Sequence, residues 1–214
     1  MSASTLTIAA AGAPLRDARA AVVMLHGRGG SADDVLSLAG ALRQADLAYI
    51  APRAPGHSWY PHSFLAPLEQ NEPFLSRSLT TVGAIVNDLA GRGIASDRVA
   101  LIGFSQGGCL ALEFAARNPQ RYAVLAGLSA GLIGPPGLTR DYRGSLEGTP
   151  VFLGCSDKDA HIPLERVRVS TQVLTAMNAA VTERIYPGMG HTINQDEIAL
   201  VRRLLEGVNR ARAA

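Results

Sequence analysis

Residues 99–108 read Val-Ala-Leu-Ile-Gly-Phe-Ser-Gln-Gly-Gly, and this stretch decides the fold. The apolar run Val99–Phe104 predicts a strand covered on both faces, and Gln106–Arg117 predicts a helix. Ser105 stands between them in a match to the pattern G-x-S-x-G. Placed between a strand and a helix, this pattern forms a tight turn that exposes a nucleophilic serine at the edge of a sheet. The stretch therefore predicts a strand–turn–helix unit that presents the Ser105 hydroxyl for chemistry.

The rest of the chain alternates apolar runs with segments of helical spacing. The runs predict strands at residues 21–25, 47–51, 99–104, 122–128, 150–154 and 181–186. The helical spacing predicts helices at residues 31–42, 78–91, 106–117, 164–177 and 198–208. Strands that alternate with helices favour a mostly parallel sheet with helices on both faces. Because no break in composition marks a boundary, we predict a single α/β domain over residues 1–214 with no separate cap domain.

One segment, residues 53–76, departs from this alternation and contains four prolines. Connections of this length in a compact domain are usually functional or disordered, and the aromatic side chains of this one argue against disorder. We therefore predict a flap-like loop beside the site. The candidates for lining an acyl or aromatic pocket are Trp59, Tyr60, Phe64 and Leu65. Core packing is the competing interpretation of the same four side chains.

Composition and charge exclude several classes of protein. The chain has 214 residues, 47% of them hydrophobic, and 20 basic against 18 acidic side chains give a formal net charge of +2. A balance this close to neutral argues against nucleic-acid binding, which needs clustered positive charge. The apolar content argues against disorder, and no stretch reaches the roughly 18 apolar residues of a membrane span.

The cysteines and the N-terminal sequence indicate a compartment. Cys109 and Cys155 cannot form a disulfide framework and suit a reducing compartment as small buried side chains. The first 14 residues contain no basic side chain and only a short apolar run, so we expect no signal peptide. Together these features predict a cytoplasmic protein.

A nucleophilic serine requires a base and a group that orients the base. His191 ends the glycine-rich turn Tyr-Pro-Gly-Met-Gly-His after the last predicted strand, which favours a site role over core packing. Asp157 and Asp159 both follow the strand at residues 150–154, and spacing alone leaves either as the acid. The order Ser105, aspartate, His191 along the chain is that of the α/β-hydrolases.

A second glycine-rich turn, His-Gly-Arg-Gly-Gly at residues 26–30, directly follows the first predicted strand. Such a turn places a backbone N–H group beside that of the residue after the serine. We predict that the N–H groups of Arg28 and Gln106 bind the oxyanion of a tetrahedral intermediate. His26 is interpreted as a structural hydrogen-bonding residue of the turn.

Four motifs together resemble the phospholipase/carboxylesterase branch of the α/β-hydrolases, which includes the acyl-protein thioesterases. They are His-Gly-Arg-Gly-Gly at 26–30, Gly-Phe-Ser-Gln-Gly-Gly at 103–108, Asp-Ala-His-Ile-Pro at 159–163 and Gly-Met-Gly-His at 188–191. In that family the catalytic acid begins an Asp-x-x-Val/Ile-Pro element, so the resemblance implies Asp159, with Asp157 as its neighbour. It also implies Arg28 and Gln106 as the oxyanion donors. The first motif and residues 53–76 are more similar to small bacterial esterases than to eukaryotic thioesterases.

The sequence therefore predicts a serine carboxylesterase that hydrolyses small to medium acyl esters through Ser105, His191, Asp159 and an acyl-enzyme intermediate. The near-neutral net charge fits a neutral ester better than a polyanion. A lysophospholipase or acyl-protein thioesterase for long acyl chains is the alternative enzyme. A non-catalytic ligand-binding module is the alternative from another class.

Cofactors and larger partners are not expected. His57, His62 and His161 lack the spacing of metal ligands, and His161 is expected at the surface or at the pocket mouth. We predict a small-molecule ester as the partner, with no metal, organic cofactor, nucleic acid or stable membrane insertion. The sequence leaves open whether the protein forms a homodimer.

Overall fold

The computed structural model describes residues 7–42 and 44–210. Residues 1–6 lie outside the described residues. They form part of the N-terminal segment in which no signal peptide is expected. Residue 43 and residues 211–214 also lie outside them, so the outer ends of the predicted 1–214 domain are not described.

The strands of the described residues form one sheet in the order β1-β3-β2-β4-β5-β6-β7. Their bounds are Ile8–Gly12 (β1), Ala20–Leu25 (β2), Leu47–Pro52 (β3), Val99–Phe104 (β4), Val124–Leu128 (β5), Pro150–Ser156 (β6) and Ala180–Tyr186 (β7). All neighbours pair in parallel except β1, which runs antiparallel to β3. The predicted mostly parallel sheet is confirmed.

Helices cover both faces of this sheet. They are Ala32–Leu42 (α1), Phe74–Gly91 (α2), Gln106–Arg117 (α3), Leu164–Ala176 (α4) and Gln195–Arg210 (α5). Short 3-10 turns lie at Pro55–His57, Leu68–Asn71 and Ser96–Arg98. None of the helices within the described ranges is both long and apolar enough to cross a membrane.

The core consists of two apolar layers, one on each face of the sheet. Val23, Leu101 and Leu153 pack with α2, α3 and α4 on one face. Their strand neighbours, such as Met24 and Ile102, pack with α1 and α5 on the other. Burying one large apolar side chain contributes about 1.5–3 kcal/mol, so these two layers stabilise the sheet behind the site.

Several elements differ from the sequence predictions, β1 and α2 among them. β1 was not predicted, because its sequence Ile-Ala-Ala-Ala-Gly has one β-branched residue and only its pairing with β3 makes it a strand. α2 begins at Phe74, earlier than the predicted residue 78, so the loop of residues 53–76 ends sooner than expected. The Glu72 carboxylate accepts the N–H of Ser76 at 3.1 Å and stabilises this first turn.

Parallel strands bring their carboxyl ends to one edge of a sheet. Ser105 directly follows β4, Asp159 lies in the loop after β6, and His191 lies in the loop after β7. The topology therefore gathers three residues that are far apart in sequence at one edge of the sheet.

Candidate active site

Ser105 occupies a strained turn between β4 and α3. Its φ of 54° and ψ of −121° lie where L-residues are rarely found. The turn is held by its own backbone, since the N–H of Ser105 donates to the Leu128 carbonyl and its carbonyl accepts the N–H of Cys109, each at 2.9 Å. A Cβ at Gly107 would overlap the carbonyl of Leu25, so only glycine fits where α3 crosses β2.

Hydrogen bonds connect the serine to a histidine and the histidine to a carboxylate. His191 Nε2 lies 2.9 Å from Ser105 Oγ. His191 Nδ1 lies 2.8 Å from Asp159 Oδ2 and 3.0 Å from Asp159 Oδ1. This is the arrangement in which a carboxylate orients an imidazole and the imidazole can take a proton from a hydroxyl.

The Asp159 side chain is fully buried behind His191, with 0% of its surface exposed. Its Oδ1 also accepts the N–H groups of His161 at 2.8 Å and Ile162 at 3.0 Å. Burial opposes the negative charge, but the hydrogen bonds from His191, His161 and Ile162 outweigh it and lower the pKa of Asp159. A permanently ionised carboxylate thus faces the imidazole at neutral pH.

Asp157 does not reach the imidazole. Its Oδ1 accepts the N–H of Gly188 at 2.7 Å, and the neighbouring Ser156 Oγ accepts the N–H of Gly190 at 3.1 Å. Asp157 is exposed and holds the backbone of the loop that carries His191. Of the two aspartates that spacing left open, the structure places only Asp159 against His191.

The turn of residues 26–30 lies against the serine. A Cβ at Gly27 would stand 3.4 Å from Ser105 Cβ, so the backbone of this turn is in direct contact with the turn that carries Ser105. Within the part of the chain that the structure describes, the N–H groups of Arg28 and Gln106 donate to no other protein group. The Gln106 N–H also begins α3, where the helix dipole favours negative charge.

His26 fixes this turn from behind. The N–H of Ala54 donates to His26 Nε2 at 3.1 Å, so the proton lies on Nδ1 and is donated to the Gly27 carbonyl at 2.8 Å. Burial lowers the pKa of His26, which keeps the ring neutral. The predicted structural role of His26 is confirmed.

The Gln106 side chain holds residues 53–76 in place, a role that sequence reasoning missed. Its Oε1 accepts the N–H of Trp59 at 3.0 Å, and its Nε2 donates to the carbonyl of Tyr60 at 2.8 Å. Only the fold brings residue 106 to the flap, so the sequence carried no signal of this contact.

The four predicted lining residues have different places. Tyr60 and Phe64 line a cavity of about 580 Å³ beside Ser105, although they are only 1% and 7% exposed. Trp59 does not line this cavity; it is buried, and its indole N–H donates to the His26 carbonyl at 2.9 Å. Leu65 lies outside the cavity as well and faces Pro135 and Arg166. The expectation for Trp59 and Leu65 is therefore corrected, because packing of the flap turns both away from the serine.

The rest of the cavity wall mixes apolar and imidazole groups. Phe104, Cys109 and Ile162 supply apolar surface. His161 is exposed and also lines the cavity, with its ring centroid 4.7 Å from that of His191 in an edge-on contact. Burial raises the pKa of Cys109 to about 12, so this thiol stays protonated.

The histidines outside the serine–histidine pair do not converge. His57 Nδ1 lies 2.9 Å from the Gly30 carbonyl, and the N–H of His62 donates to Asn71. Among the described residues, no three His, Cys, Asp or Glu side chains are grouped as metal ligands.

The mostly parallel sheet, the strained turn at Ser105 after β4, and the order Ser105, Asp159, His191 along the chain define an α/β-hydrolase. The family described as Phospholipase/Carboxylesterase matches residues 6–209, and the chain belongs to this family.

Three known proteins illustrate the similarity. The crystal structure of a phospholipase/carboxylesterase from Dyadobacter fermentans DSM 18053 is 42% identical, covers 96% of this chain and 99% of its own, and superposes with a TM-score of 0.91. NocK of Nocardia uniformis subsp. tsuyamanensis, named as an esterase, is 35% identical over 140 residues, 62% of this chain and 39% of NocK. Acyl-protein thioesterase 1 of Gibberella zeae is 29% identical over 119 residues, 53% of this chain and 49% of that protein. The match thus spans less than half the length of these two curated relatives.

Proposed function

We propose that this protein is a serine carboxylesterase that hydrolyses small to medium acyl esters. The observation that carries the proposal is the continuous set of hydrogen bonds from Ser105 through His191 to Asp159 at the wall of an open cavity. Membership of the phospholipase/carboxylesterase family supports the same reaction class.

Acylation begins at the serine hydroxyl. Asp159 accepts a hydrogen bond from the Nδ1–H group of His191, so the Nε2 lone pair faces Ser105 Oγ at 2.9 Å. His191 takes the hydroxyl proton while Oγ attacks the ester carbonyl carbon. The N–H groups of Arg28 and Gln106 donate to the oxyanion, a contribution typically worth about 10²–10³ in rate for each donor. His191 then protonates the leaving alcohol.

Deacylation repeats the same steps with water. His191 removes a proton from a water molecule, the hydroxide attacks the acyl-enzyme carbonyl, and the protonated imidazole returns its proton to Ser105 Oγ. Asp159 stays ionised throughout and stabilises the imidazolium in both halves of the reaction.

The size of the cavity favours short and medium acyl groups over long ones. The flap of residues 53–76 bounds the cavity of about 580 Å³, and within the described residues no separate cap domain extends it. A lysophospholipase or acyl-protein thioesterase for long acyl chains is the alternative within the same family.

The partner and compartment belong to the same proposal. A small-molecule ester is the partner, and the absence of nucleic-acid binding and of stable membrane insertion stays a prediction. A cytoplasmic location also stays a prediction, and a homodimer remains to be measured.

The test is hydrolysis of 4-nitrophenyl butyrate by purified protein. We expect Ser105→Ala to lower kcat by at least about 10³-fold, because the nucleophile is lost and only binding and oxyanion donors remain. Ser37→Ala is the matched control, since Ser37 is exposed on α1 away from the cavity. Wild-type turnover by Ser105→Ala, or no turnover of any ester by the wild type, would contradict the proposal and favour a ligand-binding module.

A further inference from the structure

Arg28 extends its side chain from the turn of residues 26–30 along the cavity wall to the flap. Its Nη1 donates to the Pro61 carbonyl at 2.8 Å and to Ser58 Oγ at 3.1 Å, and its Nη2 donates to the His62 carbonyl at 2.6 Å. The guanidinium carbon also lies 5.9 Å from the centre of the Tyr60 ring. Every one of these partners is uncharged.

No carboxylate balances this charge within the described residues, where Arg28 forms no ion pair. The acids nearest along the chain are engaged elsewhere: Asp34 accepts the N–H of Ser31, and Asp33 pairs with Arg53. A guanidinium is charged at every physiological pH. Arg28 therefore brings an uncompensated positive charge to the cavity.

The cavity wall has no negative side chain to offset that charge. Its titratable groups are Arg28, Tyr60, His62, Cys109, His161 and His191. Asp159 lies behind His191 with its side chain fully buried, and it accepts hydrogen bonds from the imidazole and from two backbone N–H groups. A ligand beside Ser105 thus meets a permanent cation and no permanent anion.

The guanidinium also has donors to spare. Of its five N–H groups, three reach the acceptors named above, and two make no hydrogen bond within the described residues. Charge-assisted bonds from arginine to a carboxylate are roughly twice as strong as bonds to neutral acceptors. A carboxylate is the ligand group that these free donors match.

We propose that the substrates of this site are esters that carry a carboxylate, placed so that it reaches Arg28 while the ester carbonyl lies at Ser105. This inference rests on the proposed esterase function and narrows it to half-esters of dicarboxylic acids or esters of carboxylated alcohols. The net charge of +2 predicted a neutral ester, but that value describes the whole molecule, whereas specificity depends on the charge in the cavity.

The test compares pairs of esters that differ in one group. Mono-4-nitrophenyl adipate and 4-nitrophenyl hexanoate have the same acyl chain, with a carboxylate in the first where the second has a methyl group. 4-Acetoxybenzoate and phenyl acetate form the corresponding pair on the alcohol side. The readout is the ratio of kcat/KM for the anionic ester to that for the neutral ester, which cancels any general loss of activity.

The wild type should favour the anionic member of at least one pair by about tenfold, the effect of one charge-assisted hydrogen bond. Arg28→Gln should abolish this preference, while Arg28→Lys, which keeps the charge, should retain most of it. Arg92→Gln removes an exposed arginine far from the cavity and should leave the ratio unchanged. High salt should reduce the ratio in the wild type and in Arg28→Lys, which both carry the positive charge. It should leave the ratio of Arg28→Gln unchanged.

The proposal is overturned if the wild type prefers the neutral member of both pairs, or if Arg28→Gln leaves the ratio unchanged. Equal losses on both esters in Arg28→Gln and Arg28→Lys would instead show that the side chain only holds the flap. In each of these results the neutral esters are still hydrolysed, whereas loss of all ester hydrolysis in the wild type would mark failure of the esterase function itself.

Discussion

At the scale of single residues, the two carboxylates after β6 hold different groups. Asp159 accepts a hydrogen bond from the Nδ1–H group of His191, whereas Asp157 accepts one from the backbone N–H of Gly188. We expect Asp159→Asn to lower kcat about 10³–10⁴-fold, because an amide no longer fixes the imidazole tautomer. Asp157→Asn keeps an oxygen for Gly188 and should cost less than about tenfold. Kinetics with 4-nitrophenyl butyrate measure both; a larger loss in Asp157→Asn would reverse the assignment.

A second carboxylate outside the cavity makes stability depend on pH. Glu197 is fully buried near the start of α5, where its Oε2 accepts the N–H of Asn194 at 2.8 Å. Its Oε1 has no hydrogen-bond partner within the described residues. Burial raises the pKa of Glu197 from 4.5 to about 7. The folded protein therefore binds this proton more tightly than the unfolded chain does.

The sign of this effect follows from linkage. Because the folded pKa is the higher one, stability falls as pH rises from 4.5 to about 7 and levels off above. Glu197→Gln keeps an acceptor for Asn194 and should remove this dependence. Thermal unfolding between pH 5 and pH 8 measures it, with about 2–4 °C in Tm for each kcal/mol. A parallel Tm profile in the wild type and Glu197→Gln would refute the prediction.

At the scale of elements, the flap of residues 53–76 is tied to the core by Trp59. The Trp59 indole N–H donates to the His26 carbonyl, and the Trp59 carbonyl accepts the Ser78 hydroxyl at 2.6 Å. We expect Trp59→Phe to lower the free energy of unfolding by about 1–3 kcal/mol through the lost bond and volume. The KM for 4-nitrophenyl butyrate should stay within about twofold. Denaturant unfolding and steady-state kinetics measure the two; a raised KM with unchanged stability would restore Trp59 to the substrate pocket.

The elements were predictable from sequence where the local pattern agrees with the fold. β4 and α3 have the predicted bounds, because a continuous apolar run ends at a glycine-bounded serine and helical spacing resumes at once. β1 was missed because antiparallel pairing with β3 makes it a strand, and its own residues only weakly favour one. Predicting such a strand requires knowledge of tertiary contacts, which a short window of sequence does not contain.

The site shows the same division. The sequence motifs brought out Ser105, Asp159 and His191, which the structure places in hydrogen-bond contact. The contacts of Arg28 and Gln106 with flap carbonyls and amides could not be predicted, because they join side chains to backbone groups more than 30 residues away. The available signal was Arg28, a long cationic side chain in a turn that is predicted to act through its backbone N–H group. Only the fold shows that this side chain contacts the flap.

At the scale of the whole molecule, the proposed preference for short and medium acyl groups depends on the cavity between the edge of the sheet and the flap. A methylene buried in the cavity contributes about 0.8 kcal/mol, or about fourfold in kcat/KM. We expect kcat/KM for 4-nitrophenyl esters to rise with acyl length until the cavity of about 580 Å³ is filled, and then to fall by palmitate. A continuous rise through palmitate would favour the long-chain thioesterase or lysophospholipase alternative.

The most direct test of the central claim is covalent labelling of Ser105 by a fluorophosphonate, followed by mass mapping of tryptic peptides. The peptide of residues 99–117 contains Ser105 as its only hydroxyl side chain, so a label there is assigned without ambiguity. The mechanism predicts one label on this peptide, its loss in Ser105→Ala and slower labelling in His191→Ala. A label on any other serine, or none under conditions that inactivate the wild type, would contradict it.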